Sequence, residues 1–263
     1  MAPSGVAGFS AVDAIFDLPH RPAKPRTTGL THVLDSGLGP LEAQSLIDVG
    51  ARHIDLVRLG WGSALVTDCL PRKLELYRAA GIPVMVGGTL TELAWLHGRV
   101  DELVAWVQEL GIDRIEVSSG TIAIPAPERA RLIERLAARM TVYAEVGEKD
   151  PDAIMAPYAW VDLIRQSFDA GAELVVCEGR ASGTAGLYRA TSELRTGLVE
   201  EIAHQVGLSR LVFEAPQTRQ QAWFVNRFGP EVNLGNIPSQ DVVSLESLRL
   251  GLRSETVAKL HAP

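Results

Sequence analysis

Short apolar segments alternate with longer amphipathic segments along most of this chain. Eight short segments are rich in β-branched residues and are predicted to be strands: Thr28–Leu34, His53–Leu59, Pro83–Val86, Arg114–Val117, Thr141–Val146, Leu174–Cys177, Arg210–Phe213 and Glu231–Leu234. Between them the apolar residues follow helical spacing at Leu41–Gly50, Leu70–Ala80, Asp101–Leu110, Pro127–Ala138, Trp160–Ala170, Leu198–Val206, Gln217–Phe228 and Ser239–Leu252. Eight strand–helix units in succession predict a single (β/α)₈ TIM barrel.

The composition of the strands favours the barrel over an open sheet. The segment Leu174–Cys177 is apolar throughout, as expected of a parallel strand that is covered on both faces. A doubly wound open sheet is the alternative, but no glycine-rich dinucleotide or Walker motif follows the first strand. We expect a Pro-rich N-terminal arm at residues 1–27, the barrel at 28–257 and a short tail at 258–263.

Composition and charge narrow the classes of partner. The net charge of −7 and the pI near 5.4 argue against nucleic-acid or anionic membrane surfaces as partners. The apolar runs are too short to cross a bilayer, and the N-terminal residues lack a signal-peptide pattern. Cys69 and Cys177 stand far apart with no metal-ligand spacing, which fits a reduced cytoplasmic compartment. Homo-oligomerisation stays open.

Acidic residues follow several of the predicted strands. Glu116 and Glu145 lie at the ends of the fourth and fifth strands, and Glu178 and Glu214 directly follow the sixth and seventh. The carboxyl ends of barrel strands meet on one face, where the active sites of this fold lie. Carboxylates brought together there repel one another unless cations intervene. Either a divalent ion, most simply Mg²⁺, or nearby Arg and Lys side chains would supply that charge.

Basic and small residues near the strand ends suggest an anion site. Arg58, Lys149 and Arg180 all lie in or next to these regions. Two short segments have the small residues and exposed N–H groups of an anion-binding loop, one containing Arg180, Ser182 and Gly183, the other Gly235 and Asn236. Simple turns are the alternative for both loops.

Three further polar residues lie on the first two predicted strands. Asp35 ends the first strand, with His32 three residues before it, and Asp55 lies within the second. His32 is the histidine with the best prospect of lying near the site. Trp61, between two glycines, is expected either in the pocket wall or in the core.

Several segments together resemble the phosphosulfolactate synthase family of coenzyme M biosynthesis, which also includes plant heat-stress-associated proteins. The similar segments are Lys24–Arg26, Gly29–Asp35, Ile54–Gly62, Gly87–Leu90, Glu145–Gly147, Phe213–Gln217, Val232–Ile237 and Ser244–Arg253. They occur in order from about residue 15 to about residue 257, and motifs of this length are specific.

The resemblance implies a function for the predicted site. Such an enzyme is a carbon–sulfur lyase that adds sulfite to C3 of phosphoenolpyruvate, or of a related enol phosphate, with Mg²⁺. By position, Lys149 matches the family lysine that is a candidate to protonate C2. With it we assign Arg58 and Glu116 to catalysis, and Glu145, Glu178 and Glu214 to the metal. The two anion loops, through Arg180, Ser182, Gly183, Gly235 and Asn236, are assigned to the substrate phosphate.

The chain also departs from the family pattern. Ser36 and Glu148 stand where lysine is typical, Ser119 where aspartate is, and Ala181 where glutamate is, while Arg58 replaces a lysine. These changes predict weak activity with sulfite and phosphoenolpyruvate, since each lost charge-assisted contact weakens anion binding. A barrel enzyme with another nucleophile or acceptor, or a non-catalytic stress-associated binding protein, are the alternatives.

Overall fold

Eight parallel strands form a closed barrel in chain order, with the eighth strand pairing back to the first. The computed structural model describes residues 15–150 and 154–261. The strands are β1 (Thr31–Asp35), β2 (Leu56–Leu59), β3 (Val84–Val86), β4 (Arg114–Val117), β5 (Thr141–Val146), β6 (Leu174–Cys177), β7 (Leu211–Glu214) and β8 (Leu234–Pro238). The prediction of a (β/α)₈ barrel is confirmed.

Helices surround the barrel. Over the described residues they are α1 (Pro40–Gly50), α2 (Ser63–Val66), α3 (Leu70–Ala79), α4 (Gly88–Leu96), α5 (Val100–Glu109), α6 (Ala126–Ala137), α7 (Pro157–Asp169), α8 (Thr196–Val206), α9 (Thr218–Phe228), α10 (Val242–Arg249) and α11 (Val257–Leu260). Short 3₁₀ turns at Ala51–His53 and Ser239–Asp241 precede β2 and α10. No helix in residues 15–150 or 154–261 is both long and apolar enough to cross a membrane.

The apolar residues form two separate cores, because side chains along each strand alternate between its two faces. The larger core lies between the barrel and its helices and includes Trp160 and Phe213, both fully buried. The smaller one fills the barrel interior with Leu30, Leu56, Met85, Tyr143, Leu174, Val176 and Val212. This inner core occupies the lower part of the barrel, so polar residues further along the same strands lie above it.

Strand β8 and helix α4 are the clearest of the differences from the predicted elements. The last strand runs over Leu234–Pro238 rather than Glu231–Leu234, because the Asn233 amide occupies the strand entrance, accepting from Leu30 N and donating to Leu211 O. The strand then passes through Gly, Asn and Pro, which are poor strand formers. Helix α4 was not predicted at all, because it begins at two glycines, which disfavour a helix.

Residues 15–27 pack across the N-terminal end of the barrel. The Arg21 guanidinium pairs with Glu246 at 3.0 Å, and Arg26 pairs with Asp55 at 3.0 Å. The Lys24 ammonium donates to Ile54 O at 2.5 Å. These contacts hold the segment at the end of the barrel opposite the strand carboxyl ends. Residues 1–14 of the expected arm and residues 262–263 of the expected tail lie outside the described residues.

Candidate functional site

A cavity of about 470 Å³ opens at the carboxyl ends of the strands. Its lining residues are Arg58, Gly60, Trp61, Gly87, Gly88, Thr89, Glu116, Thr121, Glu145, Lys149, Glu178, Arg180, Ala181, Ser182 and Asn236. Such a cavity lies where the loops that follow the strands meet, which is where this fold places its active sites. It is the feature of the described structure that gathers most of the predicted site residues.

The strands place the buried glutamates by simple alternation. On β5, Glu145 stands two residues after Tyr143 of the inner core, so both side chains point into the barrel. On β7, Glu214 stands in the same relation to Val212. Beyond the end of β6, Glu178 follows Val176 by two residues. The acidic layer therefore lies one step above the apolar inner core, as a consequence of strand periodicity.

Arg58 lies at the centre of this layer. Its guanidinium contacts Glu116 at 2.7 Å, Glu214 at 2.9 Å and Glu145 at 3.3 Å, and it also donates to the Asn236 side-chain oxygen. Burial by itself lowers the pKa of Arg58, but the three carboxylates outweigh it and raise that pKa above its ordinary value. Arg58 is therefore a permanent cation that allows several glutamates to share one buried layer.

Lys149 supplies the second cation. Its Nζ lies 3.0 Å from Glu145, 3.7 Å from Glu92 and 3.9 Å from Glu178. Burial lowers the pKa of Lys149, but Glu145, Glu178 and Glu92 together raise it above its usual range. The side chain is therefore an ammonium at neutral pH, placed in the wall of the cavity.

Glu178 is the acid whose charge is least compensated. Its Oε1 accepts from the Arg180 backbone N–H, whereas its Oε2 is buried without a hydrogen bond. Burial raises the pKa of Glu178 well above its ordinary value, and the neighbouring Glu145 and Glu214 raise it further. For Glu145 the attraction of Lys149 and Arg58 outweighs burial, so its pKa is lowered. Glu178 thus shares the Lys149 ammonium, 3.9 Å from its Oε2, with Glu145 and has no closer cation among the described residues.

The three glutamates fit a divalent cation. One carboxylate oxygen from each of Glu145, Glu178 and Glu214 lies within 4.8 Å of the others. Carboxylate oxygens are the ligands that Mg²⁺ prefers. Oε2 of Glu178 accepts no hydrogen bond and lies 3.9 Å from the Lys149 ammonium, so this cluster has room for further positive charge. Glu214 is otherwise fully engaged, with one oxygen on Arg58 and the other 2.8 Å from Gly179 N.

The predicted anion loops reach the cavity only in part. Arg180 and Ser182 line it, and Arg180 has a left-handed backbone with φ of 57°. Asn236, with φ of 54°, lines it too and orients Arg58. Gly183 packs against Gln220, and Gly235 lies over Val212 in the barrel, so neither is among the lining residues. A phosphate contact for these two glycines stays a prediction.

Asp35 and Asp55 lie away from the cavity. Asp35 points outward to α3, where Lys73 Nζ is 2.7 Å and Tyr77 Oη 2.9 Å away. Asp55 precedes β2 and pairs with Arg26 at the opposite end of the barrel. Alternation along the strand explains both orientations. Asp35 stands three positions after His32 and Asp55 one position before Leu56, and both of these neighbours point into the barrel. Their role here is structural.

His32 and Trp61 both lie at the site, in different environments. His32 is buried inside the barrel and stacks on Tyr143 at 5.8 Å between ring centroids. Burial, followed by the charge of Arg58, lowers the pKa of His32 to about 3, so the ring is neutral. Trp61 is 65% exposed at the mouth of the cavity and has φ of 54°. Trp61 is therefore a wall residue and not part of the core.

Glu92 on α4 is a site residue that the sequence analysis missed. It is fully buried, and its carboxylate contacts the loop after β4 as well as Lys149. The available signal was a single acid in the apolar run of residues 89–96. Without the helix, that run gave no reason to place the acid near the strand ends.

Besides Arg58, four positions are expected to depart from the family pattern. Ala181 lines the cavity. Ser119 and Glu148 are half-buried and Ser36 is exposed, and none of these three is among the lining residues. Of these four positions, Ala181 is therefore the one at which a change would bear most directly on a molecule in the cavity.

The chain is similar in sequence to a family of known proteins. A family model described as (2R)-phospho-3-sulfolactate synthase (ComA) matches residues 19–255. A phosphosulfolactate synthase of Methanothermobacter thermautotrophicus is 37% identical over 252 residues, which cover 94% of this chain and 98% of that protein. Protein HEAT-STRESS-ASSOCIATED 32 of Arabidopsis thaliana is 21% identical, over 87% of this chain and 88% of that one.

Among solved structures, the YdjI aldolase of Escherichia coli has a TM-score of 0.55 at 13% identity, covering 81% of this chain and 76% of that chain. At that identity the likeness concerns the barrel fold alone. The family model and the archaeal synthase, in contrast, each match nearly the whole barrel in sequence. This chain belongs to the phosphosulfolactate synthase family.

Proposed function

We propose that this protein is a Mg²⁺-dependent enzyme that adds sulfite to C3 of phosphoenolpyruvate and forms phosphosulfolactate in the cytoplasm. The observation that carries the proposal is the cavity itself, where Arg58, Lys149 and Arg180 stand against a cluster of buried glutamates. Both substrates are small anions, and this mixture of fixed cations and hard metal ligands suits them. The 37% identity to an archaeal synthase supports the same activity.

Glu145, Glu178 and Glu214 would hold the metal. A bound Mg²⁺ supplies a Lewis acid that stabilises the negative charge developing on the substrate carboxylate. The chain provides the remaining charge with Arg58 and Arg180. Of these, Arg58 is held by three carboxylates and serves to fix the layer. Arg180 is exposed, and its guanidinium donates to Lys149 O at 3.2 Å, which leaves its other N–H groups for an anion.

The chemistry then needs one proton. When sulfur bonds to C3, the electron pair of the double bond moves to C2 and onto the carboxylate, and a proton must be delivered to C2. Lys149 Nζ is a protonated donor in the cavity wall, and its position 3.0 Å from Glu145 fixes it there. General acid catalysis by a positioned group contributes about 10²- to 10⁴-fold to the rate. We assign this proton transfer to Lys149.

A different nucleophile is the second candidate, and Ala181 is the observation that favours it. The family resemblance leads us to expect a glutamate at this lining position, and Ala181 in its place makes the cavity wall less polar. A purely non-catalytic role is disfavoured, because burying several glutamates is costly unless their arrangement is used. The 21% identity to the plant heat-stress protein is too low to carry function.

The proposal is tested by turnover. Purified protein with Mg²⁺, sulfite and phosphoenolpyruvate should yield a phosphorylated sulfonate detectable by mass spectrometry. Lys149→Met should abolish that product while the protein still binds Mg²⁺, because the three glutamates remain and lose a competing cation. The exposed Lys259→Met variant serves as the matched control and should retain full turnover.

Two results would overturn this assignment. Turnover in Lys149→Met equal to that of the wild type removes Lys149 from the reaction. Absence of any sulfonate, combined with turnover when sulfite is replaced by another nucleophile, selects the second candidate instead.

A further inference from the structure

The carboxylate of Glu92 binds the loop after β4 at four points. Its Oε1 accepts from the Ser118 hydroxyl and from Gly120 N at 3.1 Å. Its Oε2 accepts from Thr121 N at 3.1 Å and Ile122 N at 2.6 Å. A fully buried carboxylate with four donors is a strong anchor, because ionised acceptors make short, charge-assisted hydrogen bonds.

The same loop is the surface on which Lys149 lies. A methyl group added at Gly120 would stand 2.8 Å from both Cγ and Cδ of Lys149 and 3.0 Å from its Cε. The aliphatic part of Lys149 therefore rests directly on the Gly120 backbone, whose N–H is held by Glu92. The negative charge of Glu92 also faces the ammonium, with 3.7 Å between Oε1 and Nζ.

Lys149 is thus fixed from two sides. Glu145 on β5 holds its ammonium at 3.0 Å. On the other side, Glu92 holds the Gly120 backbone beneath the Lys149 side chain and places its own negative charge 3.7 Å from the ammonium. Helix α4 also begins at this place, where Gly88 N donates to Glu116 at 2.8 Å. The position of the proton donor therefore depends on a residue that does not line the cavity.

We propose that Glu92 is a positioning residue that holds Lys149 over the cavity through the Gly120 backbone and through its own charge. The proposal rests on the proposed function for what Lys149 does there. Residues that orient a functional group in this way typically cost about 10- to 100-fold in activity when replaced. Substrate binding should change much less, because Glu92 makes no contact with the cavity.

Two variants test the proposal by different routes. Glu92→Gln removes the charge and turns an amide group toward one pair of N–H donors. Gly120→Ala leaves Glu92 intact and displaces the Lys149 stem directly. Both should lower kcat about 10- to 100-fold, with KM for phosphoenolpyruvate and Mg²⁺ affinity within about threefold of wild type. Glu109→Gln, an exposed acid on α5, is the matched control and should change neither constant.

Crystal structures of the same variants give a reading that is independent of turnover. In each variant Lys149 Nζ should leave its contact with Glu145, even if sulfite is not the nucleophile. An unmoved Nζ in the crystal structure of Gly120→Ala, or wild-type kcat in either folded variant, overturns the proposal. Lack of wild-type turnover with sulfite, together with a displaced Nζ, overturns the proposed function and leaves the positioning role standing.

Discussion

Replacing Arg58 by Met is expected to destabilise the barrel markedly. The substitution keeps much of the volume but removes the cation that contacts Glu116, Glu145 and Glu214 within 3.3 Å. The Arg58 side chain is 12% exposed and its three partners 5% or less, so water cannot replace it effectively. In the variant, Glu145 keeps its ion pair with Lys149. Glu116 and Glu214 keep none, because Arg58 is their one ion-pair partner among the described residues.

The expected loss of stability follows from the ion pairs that the substitution breaks. Removing one partner of a buried ion pair costs about 3–5 kcal/mol, because the other charge stays buried. The loss converts to a decrease in Tm of about 6–20 °C, at about 2–4 °C per kcal/mol for a domain of this size. Arg58→Lys should recover part of the stability, since one ammonium cannot reach all the positions that the two guanidinium nitrogens occupy.

Urea unfolding at pH 7 measures the effect. The exposed Arg131→Met variant is the control and should fall within about 0.5 kcal/mol of wild type. Adding Mg²⁺ should restore stability to Arg58→Met, because a ligand at 100 times its Kd contributes about 2.7 kcal/mol. If Arg58→Met unfolds within 1 kcal/mol of wild type at the same slope, the acidic layer does not depend on Arg58 and this reasoning is wrong.

Three further results are expected. Glu178→Gln should weaken Mg²⁺ binding in calorimetry at least about tenfold, since Oε2 is the oxygen without a partner; unchanged affinity would exclude Glu178 as a ligand. Lys73→Met should cost about 3 kcal/mol in urea unfolding, because Asp35 at 2.7 Å is completely buried; a loss below 1 kcal/mol would contradict this. Burial raises the pKa of Glu246, but the hydrogen bond and charge of Arg21 lower it overall. A depressed pKa stabilises the fold above the unfolded value near 4.3 and loses that effect as pH falls through the folded-state pKa. The stability difference between wild type and Arg21→Met should therefore shrink from pH 7 to pH 3, and a difference that is constant with pH would refute the linkage.

Much of the fold follows from local pattern. The bounds of β4, β5 and β6 match those expected from the sequence, because these strands are short runs rich in β-branched residues that are followed by Ser118, Gly147 and Glu178. The last strand did not follow, since Gly235, Asn236 and Pro238 have low strand propensity and are held by barrel closure. Closure is a long-range constraint, and no local window of sequence contains it.

The site was predictable to a similar extent. Glutamates at strand ends indicated a common face, and alternation with the inner core places Glu145 and Glu214 there. The same alternation points Asp35 outward to Lys73. Its position at a strand end alone could not distinguish it from the acids that point into the barrel. Glu92 could not be predicted as a site residue, because its contacts depend on helix α4, which its N-terminal glycines disfavour, and on the loop after β4, which folds back onto that helix.

The most direct measurement runs the reaction in D₂O with Mg²⁺, sulfite and phosphoenolpyruvate and examines the product by NMR and mass spectrometry. The account predicts a phosphorylated sulfonate with the new carbon–sulfur bond at C3 and one deuterium at C2. It predicts that Lys149→Met forms none of this product. A product without deuterium at C2, or no sulfonate from the folded wild-type protein, would contradict it.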